Sequence, residues 1–199
     1  MVAGRHQYEH AIEAYLRASK VPFVSIRDVR RAQRTPEAFK TLKSFDFVLY
    51  GPGTPRLLEI KGRRVPEANG RRSRPPRTES WVTLDDVESL RAWGAIFGTG
   101  FCPTFTFIYH CPDPDSYQTF SERFELDGRL YGLRTIDLDE YTGAMTTRSP
   151  KWRTVHLPAA SFDRLHRPLL RRMGTSDEDP STRTLFSHPS ASTGGTISG

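Results

Sequence analysis

Near the N-terminus apolar side chains return every third or fourth position. Tyr8, Ala11, Ile12 and Tyr15 stand at i, i+3, i+4 and i+7, and Leu16 and Ser19 extend the same side. That spacing predicts an amphipathic helix over residues 5–20. Residues 21–26 form a short β-prone run, and the polar stretch 27–43 predicts a long basic loop. Residues 45–50 and 56–61 read as two strands. Gly51-Pro52-Gly53-Thr54-Pro55 between them is a turn by its glycine and proline content, so the strands form a hairpin. Residues 62–77 carry Pro66, Pro75 and Pro76 and read as a second basic loop. A second helix opens at Thr83, a suitable N-cap, and ends near Gly98. Asp86 holds its capping-box position, where Glu or Gln is usual.

A β-rich run at 103–110 follows, then a proline-rich break at Pro112 and Pro114. A hairpin is expected over 120–138 around Asp127-Gly128, a preferred two-residue turn. A last strand is expected at 152–157 and a last helix at 162–172. Residues 174–199 are rich in Ser, Thr, Gly and Pro and are expected to be disordered. The order α-β-β-β-α-β predicts an α/β fold, a mixed central sheet flanked by helices, with a β-rich C-terminal extension. The expected organisation is one domain over 1–173, with its core at about 5–110 and the extension at about 118–173.

The chain has 199 residues, 36% of them hydrophobic, which suits one domain and a tail. No run of eighteen apolar residues marks a membrane-spanning helix, and the polar first ten residues lack the apolar segment of a secretory signal. Cys102 and Cys111 flank a predicted strand whose rise separates them by roughly 30 Å. That is too far for a disulfide, so two free thiols and a cytoplasmic setting are expected. The net charge of +6 is uneven. Up to Arg77 there are 17 Lys and Arg against 7 Asp and Glu, and after it 12 against 16. This clustering points to a polyanion partner such as nucleic acid. The excess of 24 Arg over 5 Lys also fits a GC-rich genome, which explains the total better than the clustering.

One constellation carries candidate chemistry. Asp46 lies early in the first hairpin strand, and Glu59 and Lys61 near the end of the second. Strand alternation points Glu59 and Lys61 to one side, next to Gly62. Carboxylates among Phe45, Phe47, Leu57 and Ile60 need a partner, and a divalent cation is one. Mg²⁺, or Mn²⁺ in its place, takes hard oxygen ligands, which Asp46, Glu59 and the Ile60 carbonyl can supply. A water activated there can attack a phosphodiester, with Lys61 orienting it or stabilising charge on the phosphate. Arg30, Arg31, Arg34, Arg63, Arg64, Arg71 and Arg72 would hold the nucleic-acid backbone. The competing reading is a closed salt-bridge network in a non-catalytic nucleic-acid-binding or assembly module. A third takes residues 120–157 as a protein-interaction surface.

The α-β-β-β-α-β order with Asp46 and Glu59-Ile60-Lys61 resembles the PD-(D/E)xK nucleases, the restriction-endonuclease-like superfamily that includes Holliday-junction resolvases. The resemblance covers roughly residues 5–110. It implies that Asp46 and Glu59 bind Mg²⁺, that Lys61 assists the nucleophile, and that the substrate is nucleic acid, DNA first. Homodimers are common among such nucleases. Phe45 stands where many members have proline. Many also place a Glu of the first helix near the metal. Of the two candidates, Glu9 falls roughly 80–110° from the centre of the apolar stripe and Glu13 farther, so Glu9 is preferred as a further metal ligand. Gln7-Tyr8-Glu9-His10-Ala11-Ile12-Glu13 also resembles the opening of the uncharacterised bacterial HYExAFE family, with Gln7 for His and Ile12 for Phe.

Other chemistries find no support. No His and Cys show zinc-like spacing, and there is neither a phosphate-binding Gly-rich loop nor a Gly-x-Ser-x-Gly elbow. Asp85 and Asp86 suit the dipole of their helix. Trp93, Phe97, Phe105 and Phe107 read as core, with Tyr109 and Trp152 undecided. Asp137, Asp139 and Glu140 read as a solvated acidic turn.

Overall fold

The structure is a computed structural model and describes residues 3–26, 42–67, 78–174 and 183–185. Helix α1 (Ala3–Ala18) precedes strands β1 (Phe23–Ser25), β2 (Phe47–Leu49) and β3 (Arg56–Arg64). A two-residue strand β4 (Val82–Thr83) leads into helix α2 (Leu84–Phe97), and β5 (Cys102–Cys111) completes the expected order. The chain continues through α3 (Pro114–Gln118), β6 (Glu122–Leu126), β7 (Arg129–Asp137) and α4 (Leu138–Ala144). Then come β8 (Thr146–Ser149), β9 (Thr154–His156), α5 (Ala159–Leu165), α6 (Leu169–Arg172) and β10 (Arg183–Leu185). Among the described residues no helix is long and apolar enough to cross a membrane.

The main sheet is mixed, in the order β1-β2-β3-β5-β7-β6-β10. β2 and β3 form the antiparallel hairpin, with Phe47 opposite Leu58. β3 runs parallel to β5 along its whole length, Arg56 opposite Cys102 and Arg64 opposite His110. Parallel neighbours need a long crossover, and α2 lies in it. β7 then pairs antiparallel with β5. The β-rich extension thus continues the core sheet rather than standing beside it. A second, smaller sheet has the order β4-β9-β8.

Alternation along the strands gives the sheet two apolar faces. One packs Val48, Leu57, Phe105 and Phe107 against Val87 and Leu90 of α2 and Phe162 of α5. The other packs Phe47, Leu58, Ile60 and Ile108 against Ile12, Tyr15 and Leu16 of α1. β5 is buried from Thr104 through Tyr109, as a central strand covered on both sides must be.

Several elements differ from expectation for identifiable reasons. Arg183–Leu185 lie in the stretch expected to be disordered, yet pair in parallel with β6. The exposed edge of β6 recruits them, which composition cannot reveal. The other residues of that stretch, Gly174 aside, lie outside the described residues. The helix expected at 162–172 is two, because Pro168 cannot continue the first. The break at 112–114 holds α3, with Asp113 as N-cap and Pro114 in its first turn. Trp152 sits in a turn ahead of β9, and β8 was not anticipated. Residues 62–64, read as loop, extend β3. The acidic turn is solvated only in part: Asp139 is exposed, but Asp137 and Glu140 are paired. Asp137 bonds to Arg56 and Arg172, and Glu140 accepts from Arg172 at 2.7 Å. The β6–β7 hairpin turns on Asp127 and Gly128, both with positive φ, and both cysteines are free.

Candidate active site

β3 outruns β2. Their pairing ends at Phe47 and Leu58, so beyond Leu58 this ladder no longer covers β3, which still pairs with β5 on its other side. Asp46 stands at that boundary. Its N–H donates to the Leu58 carbonyl at 2.9 Å, and its Oδ2 accepts the Ile60 N–H at 2.7 Å. The carboxylate takes the place that a backbone carbonyl of a longer β2 would fill. This fixes it beside Glu59, the next residue back along β3.

A cavity of about 530 Å³ opens here, lined by Tyr8 and Glu9 of α1, Asp46, Glu59 and Lys61, and Asp86 of α2. Alternation sends Glu59 and Lys61 to the α2 side, and Ile60 and Gly62 to the α1 side. Gly62 is what lets α1 close on the strand. A Cβ on it would lie 2.2 Å from Cδ2 of Tyr8, inside any real contact. The Tyr8 ring lies over this position instead, and its hydroxyl donates to the Arg63 carbonyl at 2.9 Å. With Tyr8 so held, the next residue, Glu9, is buried and faces the cavity. Glu13 is half-buried and pairs with Arg17 at 3.5 Å.

Lys61 bridges two carboxylates. Its Nζ donates to Glu59 Oε1 at 2.7 Å and lies 3.0 Å from Asp86 Oδ2. Asp86 also closes the capping box of α2. It accepts the Thr83 N–H at 3.0 Å, while the Thr83 hydroxyl accepts the Asp86 N–H at 3.1 Å. Lys43 reaches the other Asp86 oxygen at 3.1 Å. Burial alone would raise the pKa of Asp86. The Lys61 ammonium and the Thr83 hydrogen bonds outweigh it and hold the group at about 2. Glu59 goes the other way: burial, then the neighbouring Asp46 charge, push it up to about 7 against the pull of Lys61. Asp86 was missed as a site residue. Its one signal in the sequence is an Asp where a capping box usually has a longer side chain.

Arg63 also borders the cavity, but its guanidinium turns to the protein. It donates to the Trp81 carbonyl, stacks 4.2 Å from the Trp81 ring centre, and lies 4.0 Å from Glu79. Burial lowers its pKa. Arg64 is exposed and pairs with Glu67 at 2.7 Å. Arg30, Arg31, Arg34, Arg71 and Arg72 lie outside the described residues.

The donors suit a hard divalent cation in kind. Asp46 and Glu59 offer two carboxylates lining one cavity, and Mg²⁺ is commonly held by one or two carboxylates and several waters. Among the described residues no three Asp, Glu, His or Cys side chains are gathered as a ready metal cage, so Glu9 shares the cavity without completing a three-ligand cluster. Ile60 lines the same cavity.

The fold aligns with Hjc, a Holliday junction resolvase from the archaeal hyperthermophile Archaeoglobus fulgidus. The TM-score is 0.47 and the identity 10%, over 87% of this chain and 98% of that one. The sequence matches no family model and no curated protein.

Proposed function

We propose that this chain is a Mg²⁺-dependent nuclease of the restriction-endonuclease-like type, cutting phosphodiester bonds in DNA. One observation carries the reading. Asp46 and Glu59, from the two arms of one hairpin, line an open cavity with Lys61 two residues farther on. Held by these carboxylates, Mg²⁺, or Mn²⁺ in its place, would supply Lewis-acid activation of a water and neutralise phosphate charge.

The chain's own residues do the rest. The Ile60 N–H fixes Asp46, and Lys61 fixes Glu59, so both donors are oriented before substrate arrives. Ionised Glu59, its proton passed to solvent, would be the form that holds the cation. Lys61 Nζ, kept at the cavity by Asp86, would there be able to donate to a phosphate oxygen.

The test incubates supercoiled plasmid, single-stranded DNA and a four-way junction with the protein in Mg²⁺, Mn²⁺ or EDTA. Cleavage should need the metal and fall by about 10²-fold or more in Asp46→Asn and Glu59→Gln. Equal cleavage by wild type and Asp46→Asn would sink the mechanism.

The closed bridge of Lys61 between Glu59 and Asp86 favours a second reading, a non-catalytic nucleic-acid-binding or assembly module. Salt-sensitive DNA binding with no metal-dependent cleavage would select it.

A further inference from the structure

The turn between β8 and β9 displays an indole. Trp152 is 71% exposed, the most exposed large hydrophobic side chain among the described residues. Its companions in the turn are mostly polar or charged. They are Ser149, Pro150, Lys151 and Arg153. The Lys151 ammonium stands 5.6 Å from the ring centre. The turn is built, not loose. The Arg153 N–H donates to the Pro150 carbonyl at 3.2 Å, and Arg153 takes a φ of 46°, a costly left-handed conformation for an arginine.

Two tethers fix this turn to the wall of the candidate active site. In the first, the Leu84 N–H at the start of α2 donates to the Arg153 carbonyl at 2.8 Å, and the Arg153 guanidinium lies 3.6 Å from Asp85. The next residue, Asp86, lines the cavity. In the second, Arg148 of β8 lies 5.0 Å from the ring centre of Trp81, the ring that also carries Arg63, and pairs with Glu79 at 3.4 Å. Arg148 further borders a separate hollow of about 340 Å³ with Trp81 and His156.

We infer that the β8–β9 hairpin is a nucleic-acid contact finger beside the cavity, stacking an unpaired base on Trp152 while Lys151 takes a flanking phosphate. An exposed aromatic among cations is the arrangement that binds single strands, because every base offers a π-face and the cations follow the backbone. A protein-docking spot would surround the indole with apolar neighbours, and this turn surrounds it with charge. The inference rests on the nuclease reading only in that nucleic acid must reach the cavity.

The experiment measures anisotropy of a fluorescein-labelled single-stranded oligonucleotide, and of the corresponding duplex, with the full chain in EDTA. Trp152→Ala should weaken single-strand binding on the order of tenfold and leave duplex binding nearly unchanged, while Trp152→Phe keeps most of the affinity. Lys151→Ala should lower the slope of log Kd against log salt by about 0.7, one phosphate's worth. Unchanged single-strand affinity in Trp152→Ala, or equal loss on both probes, overturns the finger. Because no cleavage occurs in EDTA, the two proposals separate. Trp152-dependent binding without any metal-dependent cleavage overturns the nuclease reading alone. Cleavage that needs Asp46, with indifferent Trp152, overturns the finger alone.

Discussion

Lys61 Nζ lies 3.0 Å from Asp86 Oδ2, which ties the strand bearing Glu59 to the first turn of α2. Local helix capping and the charge balance of the cavity therefore share one carboxylate. Replacing Asp86 with Asn keeps an acceptor for Thr83 but removes the charge that Lys61 and Lys43 face. The loss should be about 1–3 kcal/mol at neutral pH, read by urea unfolding. The folded pKa is depressed from 3.8 to about 2, so the stabilisation is complete above roughly pH 4 and disappears as pH falls through 2. Wild type and Asp86→Asn should converge there; a gap that stays constant down to pH 2 would show that the charge contributes nothing.

Glu59 has the opposite sign. Its folded pKa is raised from 4.5 to about 7, so its contribution to stability is greatest below pH 4.5 and falls as pH rises through 7. Thermal unfolding should show wild type losing stability between pH 5 and 8, with a flatter profile in Glu59→Gln. Added Mg²⁺ should raise the melting temperature more at pH 8 than at pH 5, because the cation binds the ionised form. An equal Mg²⁺ shift at both pH values, retained in Glu59→Gln, would place the ion elsewhere.

Gly62→Ala sets a Cβ against the Tyr8 ring. The ring must leave β3 and draw the N-terminal turns of α1 with it, at a cost of about 1–3 kcal/mol. Tyr8→Ala in the same chain should recover part of that loss. A double-mutant cycle in denaturant measures the coupling, and strictly additive effects would contradict the close approach.

Asp137 holds two arginines, the buried Arg56 of β3 and the half-buried Arg172 of α6. Asp137→Ala leaves both without that charge and should cost about 3 kcal/mol in chemical denaturation, well above a surface ion pair. A loss under about 0.5 kcal/mol would mean that the pair is an ordinary surface contact.

Much of this was readable from the chain, and the misses share a cause. The spacing of Tyr8, Ile12 and Tyr15, the turn before Arg56 and the Thr83 capping box are local signals, and each sits where expected. The alternation argument likewise brings Glu59 and Lys61 to one side of β3. What escaped depends on distant partners. Asp86 reads as a cap until Lys61 arrives from another strand. Asp137 reads as part of a solvated turn until Arg56 and Arg172 close on it. Arg63, read as a phosphate contact, is taken up by Trp81 and Glu79. Arg183–Leu185 become a strand only because β6 offers an edge.

That last pairing bears on how the protein is handled. β10 covers one margin of the main sheet. A recombinant version cut back to Gly174 would bare the β6 backbone as a template for neighbouring molecules. Such a truncation should self-associate and lose solubility even if its cavity were intact, so the low-complexity tail is a poor place to shorten the chain.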